Sequence, residues 1–206
     1  GLSIELLTLS LRTIGLGFFT AFITMLFSLI ISLSRRPNKS LFLGIITNLA
    51  GIGYAIPGTV LALSLISISS SRFNFIAICL LIWGYLVRFL TISKGSIDSS
   101  LERISPTLDE AANGLGSNWF TIIRRIHLPL LKGPIFVGSL LVFVDTIKEL
   151  PISFIYRPIN FDTLSVRIYQ YAGDERIAEA ILPVLIIIIL GLIASSTLIP
   201  SLEKKN

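Results

Sequence analysis

Residues Thr13–Ser34 read TIGLGFFTAFITMLFSLIISLS, and none of the side chains in this stretch carries a charge. A helix needs about 20 mostly apolar residues to cross the hydrocarbon core of a bilayer, and this stretch is long enough. Arg12 precedes it, and Arg35 and Arg36 follow it, which is typical of charged residues at the two membrane surfaces. The stretch therefore predicts a first membrane-spanning helix.

The composition of the whole chain is typical of a membrane protein. Of the 206 residues, 53% are hydrophobic and 14% are charged, whereas about 25% of the residues in soluble domains are charged. The mean hydropathy is +0.85. These values exclude a soluble enzyme and a disordered chain. The chain has one cysteine, Cys79, and one histidine, His127, so we expect no internal disulfide, no resident metal site and no cofactor.

Further apolar stretches predict an all-α, polytopic membrane protein with about five spans. The spans are expected at residues 13–34, 42–68, 73–93, 133–153 and 181–199. The second is too long for one straight span and contains Pro57 and Gly58, so a kinked or broken helix is expected there. Arg88 lies near the end of the third, where its side chain is expected to reach the membrane surface.

The basic residues indicate an orientation for these spans. With five spans, one side holds ten Lys and Arg residues and the other holds five. Short basic loops stay in the cytoplasm, so we expect the N-terminus outside, the C-terminus and the loop 94–132 inside, and the segment 154–180 outside. We attribute the net charge of +5 to this orientation and expect no nucleic-acid partner. Residues 1–206 are expected to form one domain, and the start at Gly1 suggests a processed chain or a fragment.

The loop 94–132 is longer than a connection between spans requires, and its pattern is helical. Ser105 and Pro106 form a cap and a first helical residue, and Asp109 lies in the first turn, where the helix dipole favours acids. Four apolar residues share one face at spacings of three and four, namely Leu108, Ala111, Ala112 and Leu115. Gly116 is expected to end the helix. A second amphipathic turn is expected from Trp119 onward, and we expect it to end at Leu128-Pro129.

Two interpretations of this short helix remain open. It can rest on lipid as an interfacial helix, or it can dock on another protein. A lipid-anchoring helix needs bulky apolar residues and lysines, whereas this one carries two alanines and two acids. The composition therefore favours a protein partner, whose backbone could approach the small side chains closely.

The same segment resembles the EAA motif of bacterial ABC importer permeases. The motif consists of Glu-Ala-Ala, three residues, Gly, nine residues, Ile, any residue, and Leu-Pro. Every fixed position is matched here, by Glu110, Ala111, Ala112, Gly116, Ile126, Leu128 and Pro129. Within the family the chain is most similar to ferric iron permeases, on the residues 87–89, 105–109, 148–151 and 161–164. Polyamine, thiamine and molybdate permeases are relatives and remain alternatives.

The resemblance implies the fold of an ABC type I importer permease and a role for the loop. The loop would form a coupling helix on a cytoplasmic ABC ATPase subunit, with Glu110 as polar anchor, Ala111 and Ala112 allowing close approach, and Gly116 making the bend. Ile126, Leu128 and Pro129 would seat the end of the motif against the membrane helices. His127 lies between Ile126 and Leu128, where the motif allows any residue. We expect it to be a structural residue on the protein surface.

The resemblance also implies the setting and the partners of the chain. Besides the ATPase, the partners would be a second permease half, fused or separate, an extracytoplasmic substrate-binding protein, and the lipid of a bacterial inner membrane. The chain lacks the pattern Gly-x-x-x-x-Gly-Lys-Ser/Thr, which holds nucleotide phosphates. We therefore expect no catalytic residue here and ATP hydrolysis on the separate subunit.

A cluster of ionisable residues lies inside the fourth predicted span, namely Asp145, Lys148 and Glu149. Asp145 and Lys148 are three residues apart and can pair on one helix face. Because charges inside a membrane usually face a cavity or a partner helix, the cluster is either part of a substrate path or a helix-packing ion pair. A five-span channel or secondary transporter is a rival function, but it requires an inverted repeat or polar residues in several spans.

Overall fold

The computed structural model of the protein describes residues 2–37, 40–68 and 74–198. Within these ranges the chain is all-α and has no strand, which confirms the predicted fold class. The helices are α1 (Leu2–Arg35), α2 (Leu41–Ala50), α3 (Gly58–Ile68), α4 (Asn74–Leu101), α5 (Pro106–Gly114), α6 (Trp119–Ile122), α7 (Leu128–Ile147), α8 (Pro151–Tyr156), α9 (Leu164–Gly173) and α10 (Ile177–Ser196). Four basic residues that we used for the orientation lie outside the described residues, namely Lys39, Arg72, Lys204 and Lys205, as do the expected span ends at 73 and 199.

Four helical stretches are long and apolar enough to cross a membrane: α1, α4, the continuous run Trp119–Ile147, and α10. A fifth candidate is the pair α2 and α3, which is bent by 112° between Ala55 and Gly58, so the expected break at Pro57 and Gly58 is confirmed. α7 ends at Ile147, before the expected span end at 153, because the chain turns there and restarts as α8. Where a bilayer would begin and end on these helices stays a prediction.

Three long helices, α1, α4 and α7, pack against one another and form the centre of the molecule. α10 lies against α9 and α7, and α3 lies against α8. One apolar cluster joins the three central helices to α8. It includes Leu81 and Tyr85 of α4, Val142 of α7 and Ile152 of α8. A second cluster lies towards α5 and consists of Met25, Leu33, Ile97, Leu101 and Leu131. The ends of the long helices nearest α5 are therefore firmly packed.

Small and hydroxylated residues bring these helices close together. α1 carries four buried hydroxyl side chains spaced four residues apart, at Thr20, Thr24, Ser28 and Ser32. The hydroxyl of Ser28 is hydrogen bonded to that of Ser93 on α4, and a Cβ on Gly138 of α7 would stand 2.7 Å from Met25 Cε. Close backbone approach and interhelical hydrogen bonds are the main source of helix association in a membrane, where apolar burial contributes little.

The break between α2 and α3 lies against α4, and side chains of α4 satisfy its polar backbone. Thr91 Oγ1 donates to Ala50 O at 3.1 Å and accepts from Tyr54 N at 3.3 Å. Arg88 Nη1 donates to Ile56 O at 3.3 Å. Arg88 therefore has an acceptor within the fold, at the broken backbone of residue 56, and the expectation that its side chain reaches the membrane surface stays a prediction.

The break packs so closely against α4 at Gly53 that adding one methyl group there should lower the stability of the protein. A Cβ on Gly53 would stand 1.8 Å from the backbone oxygen of Val87, so we expect Gly53→Ala to force α4 and the break apart. Overpacking of this kind costs about 1–3 kcal/mol. The measurement is the thermal unfolding midpoint of the purified protein in detergent. Gly15→Ala is the control, because nothing lies within 4 Å of its added Cβ, and equal midpoints for the two variants would contradict the packing described.

Candidate functional site

The short helix α5 begins where the cap pattern places it. Ser105 has extended backbone angles, and its hydroxyl accepts a hydrogen bond from Thr107 N at 3.3 Å. Pro106 follows as the first helical residue, where its missing N–H leaves no bond unmade. The predicted start of the helix is therefore confirmed.

Gly116 ends α5 in a left-handed conformation, with φ +81°. The N–H of Gly116 donates to Asn113 O at 2.9 Å, and the N–H of Ser117 donates to Ala112 O at 3.0 Å. This pair of bonds is the Schellman ending, which strongly favours glycine at the left-handed position. No atom lies within 4 Å of a Cβ built on Gly116, so there is room for a side chain. Glycine is favoured here because of the left-handed backbone conformation.

The apolar face of α5 is turned away from the rest of the protein. No residue of α5 is buried, Leu115 just beyond it is 88% exposed, and Leu108 is 46% exposed. Glu110 and Ala111 are exposed, and Ala112 is half-buried. We call the group Leu108, Glu110, Ala111 and Leu115 the outer face of α5. An ordinary surface helix buries its apolar stripe and exposes its charges, whereas α5 exposes Leu108 and Leu115 and keeps only one of its two acids, Glu110, exposed.

Asp109 is the acidic residue of α5 that points inward, and its side chain is 13% exposed. Its carboxylate accepts a hydrogen bond from Arg36 Nε, and its other oxygen lies 2.9 Å from His127 Nε2. His127 is fully buried, with its ring centroid 5.5 Å from that of Trp119. The expectation that His127 lies at the surface is wrong, because Asp109 and Trp119 enclose it. Sequence reasoning also missed Arg36 and Asp109 as a pair, since they stand 73 residues apart.

The helix after α5 does not close at Leu128-Pro129, so that expectation is wrong. Trp119–Ile147 is one continuous helix, with a π-helical turn at Ile123–His127 directly before Pro129. In a regular helix the proline ring would clash with the carbonyl four residues earlier, and a π-helical turn gives it room. Ile126 and Leu128 are half-buried, while Pro129 is exposed.

The three ionisable residues of the fourth predicted span do not form one cluster. Asp145 Oδ1 and Lys148 Nζ lie 2.8 Å apart, as their spacing predicts, and the Lys148 side chain is 61% exposed. Glu149 is only 6% exposed, and its carboxylate accepts from Ile152 N at 3.1 Å. A Cβ on Gly58 would stand 2.7 Å from Arg88 Nη1 and 3.0 Å from Glu149 Oε1. Arg88 and Glu149 therefore face each other beside the start of α3.

In the part of the chain that the structure describes, no group of three or more His, Cys, Asp or Glu side chains is placed to hold a metal ion. The arrangement at α5 consists of an exposed outer face and of Asp109, which points inward.

A family model described as the binding-protein-dependent transport system inner membrane component matches residues 25–205. Among curated proteins, the Fe(3+)-transport system permease protein FbpB 2 of Haemophilus influenzae is 29% identical over 129 residues, which cover 62% of this chain and 26% of that protein. The spermidine/putrescine transport system permease protein PotC of the same organism is 28% identical over 156 residues, which cover 73% of this chain and 58% of that protein. The chain thus spans less than two thirds of the length of these relatives.

Two solved structures share the fold. The inward-facing MetNI methionine ABC transporter matches with a TM-score of 0.69 at 18% identity, over 95% of this chain and 95% of that chain. A bacterial ABC transporter involved in the import of the acidic polysaccharide alginate matches with a TM-score of 0.60 at 15% identity, over 90% of this chain and 79% of that chain. At these identities the likeness concerns the path of the backbone.

The two carboxylates near the end of α7 should differ in their contribution to stability. Glu149→Ala removes the acceptor of Ile152 N and leaves Arg88 without the facing carboxylate, so we expect a loss of about 2 kcal/mol. Asp145→Ala removes a pair with an exposed lysine, which is worth about 0–1 kcal/mol. Thermal unfolding of the purified variants in detergent measures both values. A larger loss for Asp145→Ala than for Glu149→Ala would be the contrary result.

Proposed function

The chain belongs to the family of binding-protein-dependent transport system inner membrane components, which are permeases of ABC importers, and on that premise we propose that it carries ferric iron and couples this transport to a partner ATPase through α5. The observation that carries the proposal is that α5 exposes Leu108 and Leu115 while it turns Asp109 inward. A helix with an exposed apolar face and an inward carboxylate is built to receive a partner on its outer face.

The partner that fits the outer face of α5 is a protein rather than a membrane surface. α5 contains two acids and no basic residue, and an anionic bilayer surface attracts basic segments. Ala111 presents only a methyl group, which lets another backbone approach closely, and the exposed Glu110 offers a carboxylate to a basic group of the partner. We propose a cytoplasmic ABC ATPase subunit as this partner, with Glu110, Ala111, Ala112 and Gly116 at the contact.

The end of the motif would transmit the movement of α5 into the membrane. Ile126 and Leu128 are half-buried on a helix that continues without interruption to Ile147. A continuous helix transmits displacement as one body, so movement at Trp119 would reach the far end of α7. We propose that Ile126, Leu128 and Pro129 serve this connection.

Iron is the proposed solute because the stretches 87–89, 105–109, 148–151 and 161–164 resemble ferric iron permeases and because a relative named for Fe(3+) transport is 29% identical. The 28% identity to a spermidine/putrescine permease makes a polyamine the second candidate. Both solutes are cations, and hard cations prefer carboxylate oxygen. We propose that Asp145, Lys148 and Glu149 lie along the path, with the Asp145–Lys148 pair, whose lysine is exposed, nearer the solute than the buried Glu149.

The proposed setting is a bacterial inner membrane, with the N-terminus outside and the C-terminus and α5 in the cytoplasm. The excess of basic residues on the α5 side supports this orientation. One chain of this size cannot enclose a path, so we propose a second permease half, fused or separate. A substrate-binding protein would deliver the solute from outside, and ATP would be hydrolysed on the ATPase subunit.

Two substitutions, one in α5 and one at the turn that ends it, should uncouple ATP hydrolysis from transport. Glu110→Lys reverses the charge of the proposed anchor, and Gly116→Val forces a branched residue into a left-handed conformation that costs about 1–2 kcal/mol. We expect each variant to insert normally and to lose most solute uptake in cells. Gly114→Ala is the matched control, because its Cβ meets nothing within 4 Å and its φ is not positive. Normal uptake by Gly116→Val would count against the proposal.

Uptake in a strain that lacks the chain should identify the solute. We expect the restored chain to increase uptake of radiolabelled ferric iron and to leave uptake of radiolabelled spermidine unchanged, with Asp145→Ala reducing iron uptake at unchanged membrane insertion. The opposite pattern of solutes would replace iron by a polyamine. Co-purification with an ATPase subunit separates both results from a channel, since a channel brings no such subunit.

A further inference from the structure

Arg36 joins the end of α1 to the connection between α4 and α5. It directly follows the last residue of α1, and its guanidinium donates to Leu101 O at 2.9 Å, to Ile104 O at 2.8 Å and to Ser105 O at 3.2 Å. Leu101 is the last residue of α4, where backbone carbonyls lack partners within the helix. A cation at that position is also favoured by the helix dipole. Arg36 therefore holds the end of one long helix to the end of another.

Asp109 extends this connection to the start of α7. Arg36 Nε donates to one carboxylate oxygen of Asp109, and His127 Nε2 lies 2.9 Å from the other. His127 belongs to the π-helical turn that leads directly into α7. One side chain of α5 is thus in polar contact with segments that belong to α1 and α7, and through Arg36 it reaches α4.

Few other side chains hold α5 in place, since none of its residues is buried. The hydrogen bond from Arg36 and the close approach of His127 reach the Asp109 carboxylate from two different segments, and together they restrict the rotation of α5 about its own axis. The planar guanidinium of Arg36 gives its hydrogen bond a defined geometry. None of Arg36, Asp109 and His127 occupies a fixed position of the EAA motif.

We propose that Asp109 is a positioning residue that fixes α5 to the ends of α1, α4 and α7 through Arg36 and His127, so that a displacement of α5 moves these helices together. The proposal rests on the function proposed above, in which a partner ATPase moves α5. It gives the two neighbouring acids of α5 opposite tasks. Glu110 faces the partner, and Asp109 faces the membrane helices.

The first test measures ferric iron transported per ATP hydrolysed by the reconstituted transporter, made of the chain, its second permease half, the ATPase and the binding protein. Asp109→Asn keeps the size of the side chain and removes its charge. We expect the variant to retain the ATPase, because the outer face of α5 is unchanged, and to transport about fivefold less iron per ATP. Arg36→Lys should act in the same direction, and Asp109→Glu should restore part of the ratio.

Glu102→Gln is the matched control, because Glu102 is an exposed acid close to α5 in the chain, and its removal changes the net charge by the same amount. An unfolded variant would lose hydrolysis and transport together, whereas a positioning defect lowers their ratio. An unchanged ratio in both Asp109→Asn and Arg36→Lys overturns the proposal, even if one of the two variants is poorly folded.

The second test does not depend on the solute. A spin label on Leu115→Cys, in a chain whose exposed Cys79 is replaced by serine, reports the mobility of the end of α5 in the purified full chain before the ATPase is added. We expect Asp109→Asn and Arg36→Lys to increase this mobility and Glu102→Gln to leave it unchanged. Equal mobility in all variants overturns the proposal. If no ATPase binds the unaltered chain, the function proposed above fails, while the label still tests how α5 is anchored.

Discussion

A backbone that lies in hydrocarbon has no water to satisfy its N–H and C=O groups, so each interruption of a helix must find its partners within the protein. Among the described residues, two helix interruptions lie before α3 and after α7, and both find such partners. At the first, Thr91 and Arg88 of α4 bond to the free backbone groups. At the second, the carboxylate of Glu149 accepts from the start of α8, and its backbone oxygen accepts from the hydroxyls of Ser153 and Ser165. Both interruptions meet beside Gly58, where Arg88 faces Glu149, so a few polar side chains determine where the long helices bend.

The same reasoning explains why α5 differs from every long helix of the fold. The long helices expose apolar residues that suit lipid, and they bury hydroxyls such as Ser28 that link one helix to the next. α5 is too short to cross a membrane, and it exposes an apolar face while it turns Asp109 inward. Its polarity fits a helix held between two bodies, with the bundle on one side and a protein partner on the other. A transport system that is driven by a separate subunit requires such an element.

Local patterns predicted much of this fold and part of the candidate site. The uncharged runs predicted the helices, Pro57 and Gly58 predicted the break, and Ser105 and Gly116 predicted the two ends of α5. The same patterns misplaced His127 and did not find the partner of Arg88. A pattern rule compares residues within a few positions of one another, but the partner of Arg88 is the backbone at residue 56, and His127 packs against Asp109. Charges near the end of an apolar run look alike in sequence, whether they reach water or an acceptor inside the fold.

The sequence by itself determined that the chain is a helical membrane protein, and the spacing of the EAA motif determined its family, because hydropathy and short motifs depend on residue type and order alone. Only the tertiary structure decided which of two adjacent acids, Asp109 or Glu110, points inward, and that Glu149 separates from the Asp145–Lys148 pair. These outcomes depend on where helices cross and which backbone groups a break leaves free. These contacts form between residues that are far apart in the chain, and they depend on how closely the helices pack.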